Sequence, residues 1–353
     1  MELIASLPAD TPLREVPPFA ARAERLGFDV LHVPETAHDP FVNSALALEH
    51  TRNLTVRTSM VVAFPRSPMT VAYAAWDLAR FSEGRFQLGI ASQVRGNIVG
   101  RYSATWDDPV SRLKDYVASL RAIFAAFQHG TGLDHSGPHY RFDRLQPYFD
   151  PGPLDCAAPS IWIGGVNVRM TELGGEVADG FVCHPTASHP RYLKERVHPI
   201  LHASAARSGR PQGPLLVINA RPLTGRTTTD LAAERERRRE ELAFLYSTPA
   251  YRAQLELFGL EALSERLGAM AREGNWNSLA GVLSDEVLAE LLPQGTYGEL
   301  AGVLDEWYRG HCDGISLSLP EHTDHDRDIM HFIAQAKEIP TASLRTSEDT
   351  ASD

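Results

Sequence analysis

One segment of the chain, Leu54–Asn97, contains a strand, a loop, a helix, a strand and a second loop in order, and it constrains the fold more than any other segment. Its two strand candidates, Leu54–Ala63 and Arg85–Ser92, are rich in Val, Ile, Leu and Phe, as is typical of a parallel sheet covered on both faces. Apolar residues recur at helical spacing between them, over Val71–Phe81. The segment therefore predicts one complete βαβ unit.

The alternation of strand and helix continues along the rest of the chain. A further helix is predicted after the fourth strand, with an apolar face made of Val110, Leu113, Val117, Leu120, Phe124 and Phe127. The eight strand candidates are Leu3–Leu7, Asp29–Pro34, Leu54–Ala63, Arg85–Ser92, Ser160–Gly164, Gly180–Cys183, Pro214–Ala220 and Gly314–Leu319. This order predicts an α/β protein. With 353 residues and 43% hydrophobic content, the chain is long enough for one large core, and two domains are the alternative.

Polar side chains collect where the third and fourth predicted strands end. They are Ser59, Arg66, Ser92, Gln93, Arg95 and Asn97. Because ligands bind at the carboxyl ends of the strands in parallel α/β proteins, we expect these residues to line a binding site.

The overall charge and the cysteine pattern narrow the class of protein. Lys and Arg total 34 against 45 Asp and Glu, and the net charge of −11 argues against broad binding to nucleic acid or to an anionic membrane surface. Cys156, Cys183 and Cys312 are odd in number and not at metal-ligand spacing, which favours reduced thiols in the cytoplasm. No signal peptide, membrane span, GxxxxGK(S/T) loop, HExxH or paired CxxC is visible. We therefore expect a cytoplasmic protein without a metal centre or a nucleotide-hydrolysis site.

Several motifs in one order resemble the luciferase-like flavin and deazaflavin oxidoreductases, and specifically a branch that uses coenzyme F420. The motifs are GFDVLHVPETAHDPF (Gly27–Phe41), AFPRSP (Ala63–Pro68), SEGRFQLGIASQV (Ser82–Val94), DPVSRLKDYVASLRAIF (Asp108–Phe124) and GGEVADGFVCHP (Gly174–Pro185). The preference for F420 within this superfamily follows from the resemblance of FPRSP together with SQVRGN.

The resemblance implies a (β/α)8 TIM barrel of the bacterial luciferase type, which binds a flavin-like ring at the carboxyl ends of its strands. We expect this barrel to occupy residues 1–341, followed by a disordered tail over 342–353. An excursion over 128–159, with aromatic residues and prolines, is expected to form a short hairpin and a lid at the barrel mouth. A helical insertion is expected over 230–295, and its mixed-sign run ERERRRE at Glu234–Glu240 predicts a solvated helix face.

The same resemblance maps a cofactor site onto the strand ends. In the family, a non-prolyl cis peptide bond contacts the central ring of the cofactor, and it corresponds here to Ser59 and Met60, which otherwise look like ordinary strand residues. The fourth strand ends at the same mouth with Ser92, Gln93 and Val94. Arg95 and Arg101 are candidates to bind a phosphodiester and an acidic tail, and Arg101 has a surface ion pair as its alternative.

A glycine pair follows the fifth strand in IWIGGVNVRMTELGG. Glycines there let the backbone approach a ligand closely, and the start of the following helix offers free N–H groups to an anion. Glycines at strand ends also occur for turn conformation alone. In the matching context, we expect the cofactor's phosphate or ring to contact Gly164, Gly165, Val166 and Asn167.

Candidate proton-transfer groups follow the second and sixth strands. PETAHDP supplies Glu35 and His38, and FVCHP supplies His184. A carboxylate or imidazole beside a redox ring can orient the substrate or transfer a proton. The alternatives are an ion-pair or capping role for Glu35 and a satisfied loop position for either histidine. Some deazaflavin relatives have Asp-His where this chain has Glu35-Thr36, which makes His184 the better histidine candidate.

These observations favour an oxidoreductase that exchanges hydride between C5 of the deazaflavin F420 and a C=C, C=N or C=O group of a small organic substrate. A first alternative is a two-component monooxygenase that uses FMNH2 and oxygen on the same scaffold. A second alternative is a barrel that binds a flavin-like ligand without turnover, since the fold alone does not exclude it. We expect no nucleic-acid or membrane partner, and a homodimer is a candidate assembly because apolar helices surround such barrels.

Overall fold

The structure is a computed structural model that describes residues 1–321 and 323–342. Within these residues the strands are β1 Glu2–Ser6, β2 Val30–Val33, β3 Thr55–Thr58, β4 Val61–Val62, β5 Phe86–Ala91, β6 His135–Ser136, β7 Arg141–Phe142, β8 Ile161–Gly165, β9 Gly180–Cys183, β10 Leu215–Asn219, β11 Leu223–Gly225, β12 Gln294–Thr296 and β13 Gly314–Ser318. The helices of the same residues are α1 Val16–Leu26, α2 Pro40–Glu49, α3 Pro68–Phe81, α4 Arg95–Gly100, α5 Pro109–His129, α6 Val168–Val177, α7 Pro190–Tyr192, α8 His198–Arg207, α9 Thr228–Tyr246, α10 Ala253–Leu257, α11 Glu261–Arg272, α12 Asp285–Leu291, α13 Tyr297–Tyr308 and α14 Asp326–Ala336. Apart from Ala342, the predicted tail over 342–353 lies outside the described residues.

Parallel strands close into a barrel with eight positions. Neighbouring strands follow the order β3-β2-β1-β13-β10-β9-β8-β5, and β5 pairs back with β3 to complete the ring. β4 continues the third strand after a two-residue break and pairs with β5. The predicted (β/α)8 barrel is confirmed, and each predicted strand lies within one residue of the observed bounds.

The main core lies between the outer face of this barrel and the surrounding helices. Every residue of β2 and β9 is buried, which explains why these strands read as continuous apolar runs. Helix α3 packs on α5 through Trp76, which stacks on Phe124 with ring centroids 5.4 Å apart. Phe81 was expected on the buried stripe of α3, but it is 54% exposed because the helix ends there and its last turn faces solvent.

Side chains fill the inside of the barrel, as expected for a barrel of this size. An apolar cluster occupies it, made of Ile4, Val30, Trp162, Val182 and Val217. The Arg57 side chain is fully buried there, with its guanidinium carbon 3.5 Å from the centroid of the Trp162 ring. Its charge is compensated by Glu2 at 3.1 Å, and its Nε donates to Gln87 at 2.6 Å. The interior of the barrel is therefore a packed core, and its rim is the place where we look for a ligand site.

The excursion between α5 and β8 contains the predicted hairpin, formed by β6 and β7. Its anchor is Asp115 on α5, which accepts hydrogen bonds from the backbone N–H groups of His139 at 2.7 Å and Tyr140 at 2.8 Å. The chain after the hairpin packs along α3, where Trp76 Nε1 donates to the Gly152 carbonyl oxygen at 2.9 Å. These contacts place the excursion against the outer helices α3 and α5, and its role as a lid over the strand ends stays a prediction.

Helices α9 to α12 lie in the segment expected to be a helical insertion, and they pack around an apolar core of their own. This core is built mainly from leucines of α9 to α12, including Leu242, Leu255, Leu267 and Leu288. The parallel pair β11 and β12 joins the two ends of the insertion beside the barrel. In the described part of the chain, no helix has both the length and the apolar character needed to cross a membrane.

Candidate active site

The floor of the barrel mouth is the break between β3 and β4. The peptide bond between Ser59 and Met60 is cis, as the family resemblance implies. The Ser59 backbone N–H donates to the Val33 carbonyl oxygen at 2.7 Å, and the Met60 side chain packs on the apolar cluster inside the barrel. Glycines leave room for that side chain, because an added Cβ at Gly89 or Gly164 would lie 2.7 or 2.8 Å from Met60 atoms. Met60 thus caps the barrel interior and forms a surface at its rim.

Glu35 is held at the edge of this floor by three groups. Its Oε2 accepts from the Val62 backbone N–H at 2.7 Å, and its Oε1 lies 2.7 Å from Nη1 of Arg66. The Tyr102 hydroxyl also donates to Oε1, at 2.9 Å. The Glu35 side chain is only 5% exposed. Glu35 therefore forms an ion pair, which was the alternative to a role in proton transfer. Its contacts connect the ends of β2 and β4 to Tyr102, which follows α4.

Charge balance in this cluster depends on Arg66 of the FPRSP motif. Burial alone lowers the pKa of Arg66, but hydrogen bonds and charge from Glu35, and then from Asp39 at 2.9 Å, raise it above the ordinary arginine value. Burial, followed by the hydrogen bond to Glu35, raises the pKa of Tyr102. The cluster thus consists of the Glu35–Arg66 ion pair and the neutral Tyr102 phenol, which donates to Glu35. His38, on the same loop, is half-buried and has no hydrogen-bond partner within 1–321 and 323–342.

The end of β5 turns sharply into α4. Gln93 has a positive φ of 61°, and its Oε1 accepts hydrogen bonds from the Val94 N–H at 2.9 Å and from Asn97 Nδ2 at 3.2 Å. Ser92 is buried, and Val94 is 44% exposed. Arg95, the first residue of α4, is exposed and has no ion pair in the described part of the chain. The turn therefore exposes the apolar Val94 side chain and the unpaired Arg95 guanidinium at the rim.

The end of β8 lies next to that turn, since β5 and β8 are neighbours in the sheet. Gly164 and Gly165 end the strand, and Val166 follows half-buried. The Asn167 side chain caps α6 by accepting from the Met170 N–H at 3.0 Å, and the first helical residues, Val168 and Arg169, are exposed. The prediction missed Arg169, although its position in the first turn of a helix at a strand end was visible in the sequence.

His184 lies at the end of β9, under the helical insertion. Its ring stacks on Tyr251 with centroids 4.2 Å apart. Its Nδ1 lies 2.8 Å from the Thr186 hydroxyl oxygen and also accepts a long hydrogen bond from the Thr186 N–H at 3.4 Å. Burial, followed by the charge of Arg221, lowers the pKa of His184 to about 4. The imidazole is therefore neutral at pH 7. The backbone contact has Nδ1 as an acceptor, and the Thr186 hydroxyl can donate to the same atom, so we assign the proton of the neutral ring to Nε2.

Two arginines of this sector were not predicted as site residues, and one of them, Arg221, acts on His184 through its charge. Arg221 follows β10, and Arg238 belongs to the charge run Glu234–Glu240, which was expected to form a solvated helix face. That expectation is wrong for Arg238, which is 2% exposed and lies 2.5 Å from Glu241. Residues at helical spacing from Arg238 pack into the insertion's core, so α9 turns this one member of the run inward. The identity of its partners depends on tertiary contacts, and the local pattern could not reveal it.

The residues at the mouth suit a planar redox ring with an anionic tail. Met60 and the glycines beneath it offer a surface without projecting polar atoms, and the neighbouring rim has the exposed start of α6 with Arg95 and Arg169. Among the described residues there is no group of three or more His, Cys, Asp or Glu side chains placed to hold a metal ion. Cys156, Cys183 and Cys312 are free thiols.

Comparison with known proteins agrees with this geometry. The family model described as luciferase-like monooxygenase matches residues 2–313. An uncharacterized protein of Mycobacterium tuberculosis is 38% identical over 327 residues, 92% of each chain. A putative coenzyme F420-dependent oxidoreductase of the same organism is 26% identical over 174 residues, which cover 46% of this chain and 48% of that protein.

Among solved structures, the coenzyme F420 dependent tetrahydromethanopterin reductase from Methanopyrus kandleri has the same fold. It superposes with a TM-score of 0.75 at 14% identity, and the match covers 96% of this chain and 98% of that one. Since the family model spans nearly the whole barrel, this chain belongs to the luciferase-like monooxygenase family.

Proposed function

We propose that the chain is a coenzyme F420-dependent oxidoreductase that acts on a small organic substrate. The observation that carries the proposal is the combination, at one rim, of the Met60 surface with the exposed α6 start and two unpaired arginines. The Met60 surface suits a flat ring. The α6 start and the two arginines suit a phosphodiester with an acidic tail. The sequence relative described as F420-dependent supports the choice of cofactor.

In this proposal, each part of the rim has one task. Ser59 and Met60 support the ring from below, and the turn at Ser92, Gln93 and Val94 borders its edge. Gly164, Gly165, Val166 and Asn167 bring backbone and the α6 start to the phosphate, with Arg95 beside them. When bound, the deazaflavin supplies or accepts a hydride at C5, and the protein orients the substrate's C=C, C=N or C=O group toward it.

His184 is the proposed proton-transfer residue. The Glu35 carboxylate already accepts three hydrogen bonds and pairs with a cation, so its proposed task is to hold the loop after the cis bond. His184 is neutral, and its Nε2 is the nitrogen left for a ligand, as a donor toward a substrate oxygen or nitrogen atom. His38 is the second choice, because its ring has no partner among the described residues.

The family description as luciferase-like monooxygenase favours a second candidate, in which reduced FMN and oxygen replace F420. The two candidates differ in the tail that the rim must bind. F420 has a phosphodiester followed by glutamate carboxylates, whereas FMN ends in one phosphate. Two exposed arginines on neighbouring rim segments are better matched to the longer, more acidic tail.

Titration of the purified protein with each cofactor separates the candidates. We expect F420 to bind at least about tenfold more tightly than FMN, and the Arg95→Gln/Arg169→Gln double variant to lose about tenfold in F420 affinity. Arg141→Gln, an exposed control whose arginine pairs locally with Asp143, should bind as the wild type does. Tighter binding of FMN would favour the monooxygenase. F420 binding without oxidation or reduction of any alcohol, enone, imine or ketone in a broad panel would leave a non-catalytic barrel.

A further inference from the structure

Arg221 at the barrel mouth has hydrogen-bond donors that the protein does not use. Its backbone lies in the left-handed region at φ 50°, directly after β10, and its side chain is 26% exposed. Nη1 is 3.4 Å from the Ser318 hydroxyl oxygen and Nη2 is 3.5 Å from Glu241, both near the limit of a useful contact. Nε is buried and has no hydrogen-bond partner within the described residues. A mostly buried guanidinium with two long contacts has capacity for another acceptor.

The neighbouring acidic groups are committed to other arginines. Glu241 lies 2.5 Å from Arg238, much closer than its 3.5 Å contact with Arg221. Glu234 pairs with Arg237 at 2.8 Å and with Arg238 at 2.7 Å. Three guanidinium groups therefore face these two carboxylates, and Glu321 adds a third negative charge near the exposed Arg237. Arg221 has the longest contact with an acid and is the least compensated member of the cluster.

The positive charge of Arg221 lies in the same sector of the rim as His184, the proposed proton-transfer residue. Arg221 and His184 follow the adjacent strands β10 and β9, and the Ser318 hydroxyl ends β13 on the other side of β10. Tyr251 of the helical insertion stacks on His184 and covers the same sector of the rim. Arg95 and Arg169, the groups proposed to bind the cofactor tail, follow β5 and β8 on the other side of β9. The two basic sites thus serve different parts of the mouth.

We propose that Arg221, together with the Ser318 hydroxyl, binds a carboxylate group of the substrate, so that the natural substrate is an organic acid. This inference rests on the proposed function, because it places the acid's reacting group beside His184. A planar guanidinium fork matches a carboxylate with two parallel hydrogen bonds, and Nη1 with Nη2, whose contacts to the protein are long, is the pair of donors that Arg221 can offer to a ligand. The Ser318 hydroxyl adds a third donor on the same side.

The test uses matched probes that differ only in charge. Acetate and acetamide, crotonate and crotonamide, and benzoate and benzamide are titrated calorimetrically into the full-length protein, with and without saturating F420. In the wild type, at least one acid is expected to bind about tenfold more tightly than its amide. Arg221→Gln should abolish this preference, and Arg221→Lys should restore part of it. Arg226→Gln removes an exposed arginine that pairs with Asp328, and it should keep the preference.

Three results would overturn the inference. They are an absence of acid binding in the wild type, equal affinity for acid and amide, and an acid preference that survives in a folded Arg221→Gln protein, as judged by circular dichroism and melting temperature. Weaker binding of F420 itself by Arg221→Gln would assign the residue to the cofactor and would also overturn it. Failure of the wild type to bind F420 would instead refute the proposed function, while the acid and amide titrations without cofactor still decide the anion site.

Discussion

Replacing Glu35 by alanine is expected to lower the free energy of unfolding by about 3 kcal/mol, because the change breaks a buried ion pair. Asp39, whose side chain is 44% exposed, would be the one acid still paired with Arg66, and the Val62 N–H and the Tyr102 hydroxyl would each lose an acceptor. Glu35→Gln keeps an acceptor of the same shape, so its cost should be about 1 kcal/mol. Urea denaturation followed by circular dichroism measures both values.

The same variants separate two roles of Glu35. If the carboxylate positions the loop that follows Met60, Glu35→Ala should weaken F420 binding by about tenfold or more. If it only transfers a proton, turnover should fall while the cofactor dissociation constant stays unchanged. Glu49→Ala serves as the control, since Glu49 is exposed at the end of α2 and its loss should change stability by less than about 0.5 kcal/mol. A Glu35→Ala protein as stable as this control would contradict the described cluster.

Replacing His184 by asparagine is expected to reduce turnover by about 10²- to 10⁴-fold, the usual contribution of a positioned proton-transfer group. The asparagine amide oxygen can still accept from the Thr186 N–H, so the loop after β9 should keep its conformation. Binding of F420 should be unchanged, because the proposed cofactor contacts follow other strands. His129→Asn changes an exposed histidine at the end of α5 and should turn over normally. Normal turnover in His184→Asn would remove His184 from the chemistry.

The lowered pKa of His184 also predicts how the stability of the protein changes with pH. Its pKa of about 4 in the folded protein lies below the ordinary 6.5, so between these values the unfolded chain binds a proton that the folded protein does not. Stability must therefore fall as the pH is lowered through this window, by at most about 3 kcal/mol from this group. Burial also lowers the pKa of His32, His189 and His198, but these three histidines contribute equally to the pH dependence of stability in the wild type and in the variant. The wild-type minus His184→Asn difference should thus shrink on acidification, and a constant difference from pH 7 to 4 would contradict the assignment.

The sequence predicted the barrel well because the strands carry their own signal. Val, Ile, Leu and Phe fill runs such as Val30–Val33 that are buried on both faces, and the intervening helices have regular apolar stripes. The break of the third strand between Thr58 and Val61 has no such signal. Ser59 and Met60 are compatible with a continuous strand, and only the family resemblance located the cis bond.

The candidate site was predicted less completely, since its contacts join residues far apart in the chain. Glu35 meets Arg66 across 31 positions and Tyr102 across 67 positions, and periodicity contains no information about such partners. Arg238 illustrates the same limit, because it is the one fully buried residue of Glu234–Glu240, whereas the others are exposed or half-buried. Residue types at strand ends predicted where a site lies, whereas the division between positioning groups and groups available to a ligand required tertiary structure.

A crystal structure of the protein with F420 bound tests the central claim most directly. We expect the deazaflavin ring to lie on Ser59 and Met60 at the carboxyl ends of the strands, with its phosphate at the first turn of α6 and C5 facing His184. A ring bound elsewhere on the molecule, or a mouth that stays free of F420 at saturating concentration while it accepts FMN, would contradict the account.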